Sequence, residues 1–183
     1  MSIFLTTMLL VIISTVGNGM IRLQKSQAAG SYGSNYGLFV AADGSQLKEV
    51  NRRAEIDATG TMGTEGIIKG NEKGGFVCMD ETARKMLPYN KEYELKEGKY
   101  PGGTQEIAAG RAFFSEMGYD DVKVGDTVTL DYRAGMQSEY KPEEFVVSGI
   151  LYDRDEYTIE ASYVAFGSQE FYDEHVAEND RQY

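Results

Sequence analysis

A chain of 183 residues leaves room for one domain with its own core and an accessory segment. Its 42% apolar and 26% charged residues are those of an ordinary globular protein, and a formal charge of −11 argues against a nucleic-acid binder, because phosphate contacts need clustered Lys and Arg. The same charge disfavours electrostatic adhesion of the folded part to an anionic bilayer.

From Ile3 to Ile21 no ionisable side chain occurs. As a helix this run would be about 28 Å long, close to the roughly 30 Å of bilayer hydrocarbon, so residues 1–23 read as a transmembrane helix. Thr6, Thr7, Ser14, Thr15 and Asn18 suit it to packing against other membrane helices. Two other readings compete. A signal peptide could be cleaved after Ser26-Gln27-Ala28, and a run this short could also be a buried core helix. Arg22 and Lys25 follow the run directly, and the positive-inside rule alone would place that side in the cytoplasm. Residues 24–35, QKSQAAGSYGSN, read as a flexible linker.

Residues 36–183 read as a single α+β core domain. A first strand is expected over Tyr36 to Ala42. Asp43 or Ser45 then caps a helix in which Leu47, Val50 and Ala54 recur at helical spacing while Lys48, Arg52 and Arg53 face water. The glycines from Gly60 to Gly66 lack the Gly-Lys-Ser/Thr ending of a phosphate loop, so they read as a turn before a strand over Gly66 to Lys69. Gly70 to Gly75 is a turn cluster, which makes a hairpin with the strand Phe76 to Met79. Asp80 caps a short helix ending before Pro88, with Ala83, Met86 and Leu87 inward.

Glu106 to Ala109 reads as a strand leading into a helix over Arg111 to Met117. In the stretch from Thr127, Val128 and Leu130 alternate with threonines, the period of two of a half-buried strand. The strand through Phe145, Val147 and Leu151 also carries Val146 and Ile150, so it should be central, paired antiparallel with the one before it. Ser162 to Phe166 is a further strand. Ser168 opens a last helix that buries Phe171 and Val176. Early alternation and later hairpins together predict a mixed, largely antiparallel sheet with helices packed on one face.

Three short runs, Leu95-x-x-Gly-x-x-Pro101 followed by Glu106 and Ile107, Val124-Gly-Asp-Thr-Val-Thr-Leu130, and Phe145-Val-Val-Ser-Gly-Ile150, resemble the extracytoplasmic core domain of FtsX-like and MacB-type ABC transporter permeases. The resemblance is closest to Gram-positive permeases that carry this domain after their first transmembrane helix, and it extends from the apolar run to about Tyr163. It implies a MacB-like fold outside the membrane and a mechanical role. A cytoplasmic ABC ATPase would move the permease helices, and the outer domain would handle a lipid, peptide antibiotic or cell-wall partner. That family carries basic residues before its first helix, which this chain lacks, so a late start is expected. Orientation follows the resemblance, because a long domain crosses despite a few flanking charges. Without the later membrane helices the chain alone should neither transport nor recruit the ATPase. Gly30 and Gly33 are the expected hinge, since force must pass through them.

No cofactor, metal or catalytic set is expected. Cys78 sits in an apolar strand and reads as an inert thiol. His175 lacks companions for a triad or a metal site. Asp153, Asp155 and Glu156 lack the spacing and glycine of a calcium loop and read as a solvated turn. Thirteen tyrosines could form a ligand-contacting face, with Tyr32, Tyr36 and Tyr140 its candidate members. The alternative to a permease domain is a stand-alone secreted or membrane-tethered module binding a peptide or glycan.

Overall fold

In a computed structural model, residues 2–33, 37–72, 74–87, 91–135, 138–153, 163–178 and 181 are described. The chain divides into two compact units, residues 1–36 with 87–89, and residues 37–86 with 90–183.

The first unit is built on one helix, α1 (Ser2–Tyr32). Thr6–Ala28 within it is long and apolar enough to cross a bilayer, and its described side chains are all exposed. A buried core helix, which the length also allowed, is not what forms. The helix does not stop at Leu23, because Gln24, Lys25, Gln27, Ala28 and Ala29 are good helix formers and continue it through most of the expected linker. Gly33 follows at φ 82°, a left-handed conformation that only glycine adopts without strain.

Among its described residues the second unit forms a mixed sheet of seven strands: β1 (Met62–Ile68), β2 (Phe76–Met79), β3 (Leu95–Gly98), β4 (Glu106–Gly110), β5 (Thr127–Arg133), β6 (Lys141–Leu151) and β7 (Ala165–Ser168). Their order is β3-β6-β4-β7-β2-β1-β5, and β5 pairs back onto β6. The sheet therefore closes into a six-stranded barrel with β3 added outside the ring, where a sheet with helices on one face was expected. Strand β6 makes the closure possible by its length. Along one edge, 141–146 pair with β5 and 149–151 with β3, while the other edge carries β4. Five of the pairings are antiparallel, and β2–β7 and β4–β6 are parallel.

The expected central pair forms, with Val128 opposite Phe145, and β5 buries alternate residues as its period-two pattern predicts. Helices α2 (Gly44–Asn51), α3 (Glu81–Met86), α4 (Arg111–Glu116) and α5 (Gln169–His175) are short. Three of their starts follow the capping residues read from sequence. Asp43 makes a full capping box with Gln46, Asp80 accepts the Ala83 N–H at 2.7 Å, and Ser168 accepts that of Phe171 at 3.0 Å. Ala83, Met86 and Leu87, expected inward, are only half-buried, and Pro88 lies outside the described residues.

Two local expectations fail. No strand forms over 37–42, where Leu38, Phe39 and Val40 are exposed coil. The glycines after Gly60 are not a turn: β1 starts at Met62, and its glycines make room for rings. A Cβ on Gly63 would lie 2.5 Å from the Tyr172 ring, and one on Gly66 would lie 2.6 Å from Tyr132 and 2.8 Å from Phe76. These rings belong to the core. Phe76 meets Tyr132, Phe145 and Phe171 edge-on at 5.5 to 5.9 Å between centroids, and α5 contributes both Phe171 and Tyr172. Each buried aromatic contributes on the order of 2 kcal/mol from transfer, with about 0.5–1.5 kcal/mol more per ring pair.

Candidate functional site

The parallel pairing of β2 with β7 sets Met79 beside Ser168, so both strands run out at the same end of the barrel and lead directly into α3 and α5. The segment after β3 reaches the same place. Between them lies a cleft of about 590 Å³, lined by Asp80, Glu81 and Arg84 on one side, Gly98–Gly102 on another, and Gly167–Glu170 at the head of α5.

Aromatic and charged groups share this cleft. Phe166 is buried in its floor, with Tyr93 at 5.8 Å and Tyr100 at 6.1 Å between ring centroids. The Tyr100 hydroxyl donates to the Tyr93 carbonyl at 2.6 Å, which fixes its ring, and the Arg84 guanidinium lies 4.3 Å from that ring's centroid. Asp80 is committed to structure, since its second oxygen accepts both the N–H and the hydroxyl of Thr61 at 2.9 Å. Glu81 and Glu170 are exposed at the rim, and Lys99 extends to Glu106 at 2.7 Å. Glu106 also accepts the Gly102 and Gly103 N–H groups at 2.8 and 3.1 Å. The Lys99 ammonium first, and then Gly102, hold its carboxyl below the ordinary glutamate range.

The cleft presents a ring, a guanidinium and rim carboxylates, while the hydroxyl of Ser168 is buried and engaged as a helix cap. Cys78 is buried, and burial first and the Asp173 carboxylate second push its thiol up to about 12, too high for a thiolate near neutral pH. His175 stacks on Phe171 at 3.9 Å between centroids, with Glu143 3.6 Å from its Nε2. Among the described residues no three His, Cys, Asp or Glu side chains converge as a metal ion would need.

Of the three tyrosines singled out from sequence, Tyr140 is the one whose surroundings are described. Tyr140 is half-buried before β6, with the Arg133 guanidinium 4.8 Å from its ring centroid. Tyr32 ends α1, in the other unit, and Tyr36 lies outside the described residues. Gly30 falls within α1 and Gly33 just beyond it, so only Gly33 stands where regular structure breaks. Asp153 is not a free turn residue, because its Oδ1 accepts the Ala112 N–H at 2.9 Å and caps α4, whose N-cap Gly110 has no side chain. Asp155 and Glu156 lie outside the described residues. Arg84 and Tyr100 are the pair that sequence reading missed. The only available signal for them was Tyr100-Pro101 inside the Leu95-x-x-Gly-x-x-Pro101 run.

Comparison of the chain with known protein families and with curated proteins finds no match to either.

Proposed function

We propose that this chain is the extracytoplasmic domain of an ABC transporter permease resembling the FtsX-like and MacB types, joined to its first transmembrane helix. It would take up ATP-driven helix motion and use it to handle a lipid, peptide antibiotic or cell-wall partner. The observation that carries the reading is one unbroken helix whose exposed segment Thr6–Ala28 can cross a bilayer, followed in the chain by a closed barrel with its own core. A helix that continues past the apolar segment to Tyr32 is suited to passing force, with Gly33 as the point of bending. Coupling would run through the remaining permease helices to a cytoplasmic ABC ATPase, and the domain itself would make and break no covalent bonds.

Membrane fractionation of the full chain, with and without its first 25 residues, tests the tether, and a phosphatase fusion at the C-terminus tests the side. The expected result is a membrane-bound, phosphatase-active fusion that becomes soluble on truncation. A full-length chain in the soluble fraction would overturn the reading. A second reading, a tethered module that binds a peptide or glycan unaided, is favoured by the Arg84–Tyr100 cleft. It predicts ligand binding by the barrel in the absence of any permease.

A further inference from the structure

Three consecutive large apolar side chains in the barrel unit stand in water: Leu38 is 72% exposed, Phe39 64% and Val40 82%. They are not a frayed end. Ala41 turns the chain at φ 58°, and the capping box of Asp43 and Gln46 then starts α2, so the trio is displayed on a turn with a fixed continuation. Exposed apolar area of this kind marks a contact surface.

We propose that Leu38, Phe39 and Val40 insert into the lipid–water interface on the barrel's side of the membrane, a second hold on the bilayer beside α1. The inference rests on the reading of α1 as membrane-spanning. Chain length permits it. From Ala28, where the apolar segment ends, to Tyr32 the helix adds about 6 Å, and the residues from Tyr32 to Leu38 reach at most about 22 Å. The stretch between carries Tyr32 and Tyr36, the residue type that collects at membrane interfaces. Consecutive exposed residues in coil present apolar area in several directions and not on one face, which a fluid interface accommodates better than a shaped protein surface.

Charge selects the kind of lipid. Within 37–58, Lys48, Arg52 and Arg53 are offset by Asp43, Glu49, Glu55 and Asp57, and the whole chain carries −11. Attraction to anionic headgroups is therefore not the driving force. The contact is apolar transfer, and a zwitterionic surface suffices.

The test uses the full chain in phosphatidylcholine nanodiscs containing lipids spin-labelled at the headgroup, high on the acyl chain, or near the midplane. A fluorophore is placed on Phe39→Cys, Val16→Cys or Lys123→Cys, with the unsubstituted protein as the blank because Cys78 is buried. The expected result is quenching of position 39 by headgroup and shallow labels at least about threefold above position 123, while position 16 is quenched by midplane lipid. The position 39 quenching should persist in about 0.5 M salt. A label at Gly37→Cys should lose its quenching when Leu38, Phe39 and Val40 are all changed to Ser.

Quenching at 39 equal to that at 123, with position 16 still quenched, overturns this inference and leaves the tether standing. No quenching at 16 overturns the membrane-spanning reading and this inference with it. Loss of the position 39 signal in salt overturns the apolar mechanism. Shielding of position 39 that rises with the number of chains per disc, without lipid quenching, assigns the trio to a second copy and also overturns the proposal.

Discussion

Asn71 pairs with Tyr163 as one strand residue pairs with another. Its Nδ2 donates to the Tyr163 carbonyl at 2.8 Å and its Oδ1 accepts the Tyr163 N–H at 3.2 Å, joining the turn after β1 to the approach to β7 across 92 positions of chain. Among the described residues Asn71 is one of few buried polar ones, and its amide supplies both a donor and an acceptor here. Asn71→Ala strands two backbone groups and should cost about 1–3 kcal/mol, read as a lower urea midpoint with an unchanged slope. Asn71→Asp sets a buried carboxylate oxygen against the Tyr163 carbonyl and should cost at least as much as Asn71→Ala.

Gly110 and Asp153 are matched in space. A Cβ on Gly110 would lie 2.5 Å from the Asp153 Oδ1 that caps α4. Asp153→Ala should cost about 1 kcal/mol, as loss of a helix cap does. Gly110→Ala should cost more in the native chain than in the Asp153→Ala background, and a double-mutant cycle with no coupling would refute this account of the glycine.

Gly63→Ala drives a methyl into the Tyr172 ring and should destabilise by about 1–3 kcal/mol, the usual range for overpacking. Gly44→Ala meets nothing within 4 Å at the start of α2 and should be neutral or slightly stabilising. Thermal melts of the two variants side by side check the contrast.

The carboxyl of Glu106 is held low by Lys99 and Gly102. A depressed carboxylate contributes stability that is fully present above its unfolded value, about 4.3, and is lost as pH falls through the lower folded value. Glu106→Gln should therefore cost on the order of 1 kcal/mol at pH 7 and progressively less in acid. Urea midpoints measured on both sides of the glutamate range decide it, and a penalty that does not shrink in acid would be evidence against the assignment.

With its pKa at about 12, the Cys78 thiol should resist aromatic disulfide reagents in the folded protein near pH 8 and titrate one equivalent once the chain unfolds in urea. Rapid reaction in the native state would contradict its placement in the barrel wall.

How much of this was legible depended on how local the information is. The caps at Asp43, Asp80 and Ser168, the alternation in β5 and the apolar run in α1 are written in neighbouring residues, and the structure has them. Barrel closure was not legible. It rests on parallel pairings such as Phe76 with Ala165, which join distant segments that carry no mark of each other. Gly63 and Gly66 misled for a related reason. Beside a turn cluster glycine signals a bend, yet these are the space left for Tyr172 and Tyr132, rings contributed from elsewhere in the chain. The cleft suffered in the same way, since Arg84 and Tyr100 meet only because α3 and the segment after β3 leave the barrel at one end.

Strand β7 is the last strand among the described residues and is flanked in the ring by β4 and β2. During synthesis the ring stays a broken hoop until β7 has left the ribosome, with two raw borders facing whatever is nearby. A chain stopped before Ala165 would carry those borders permanently, and their natural fate is to be sealed by other unfinished copies. Quality control of this barrel thus hinges on β7, and a nick just before Ala165 is more damaging than its distance from the central pair would suggest.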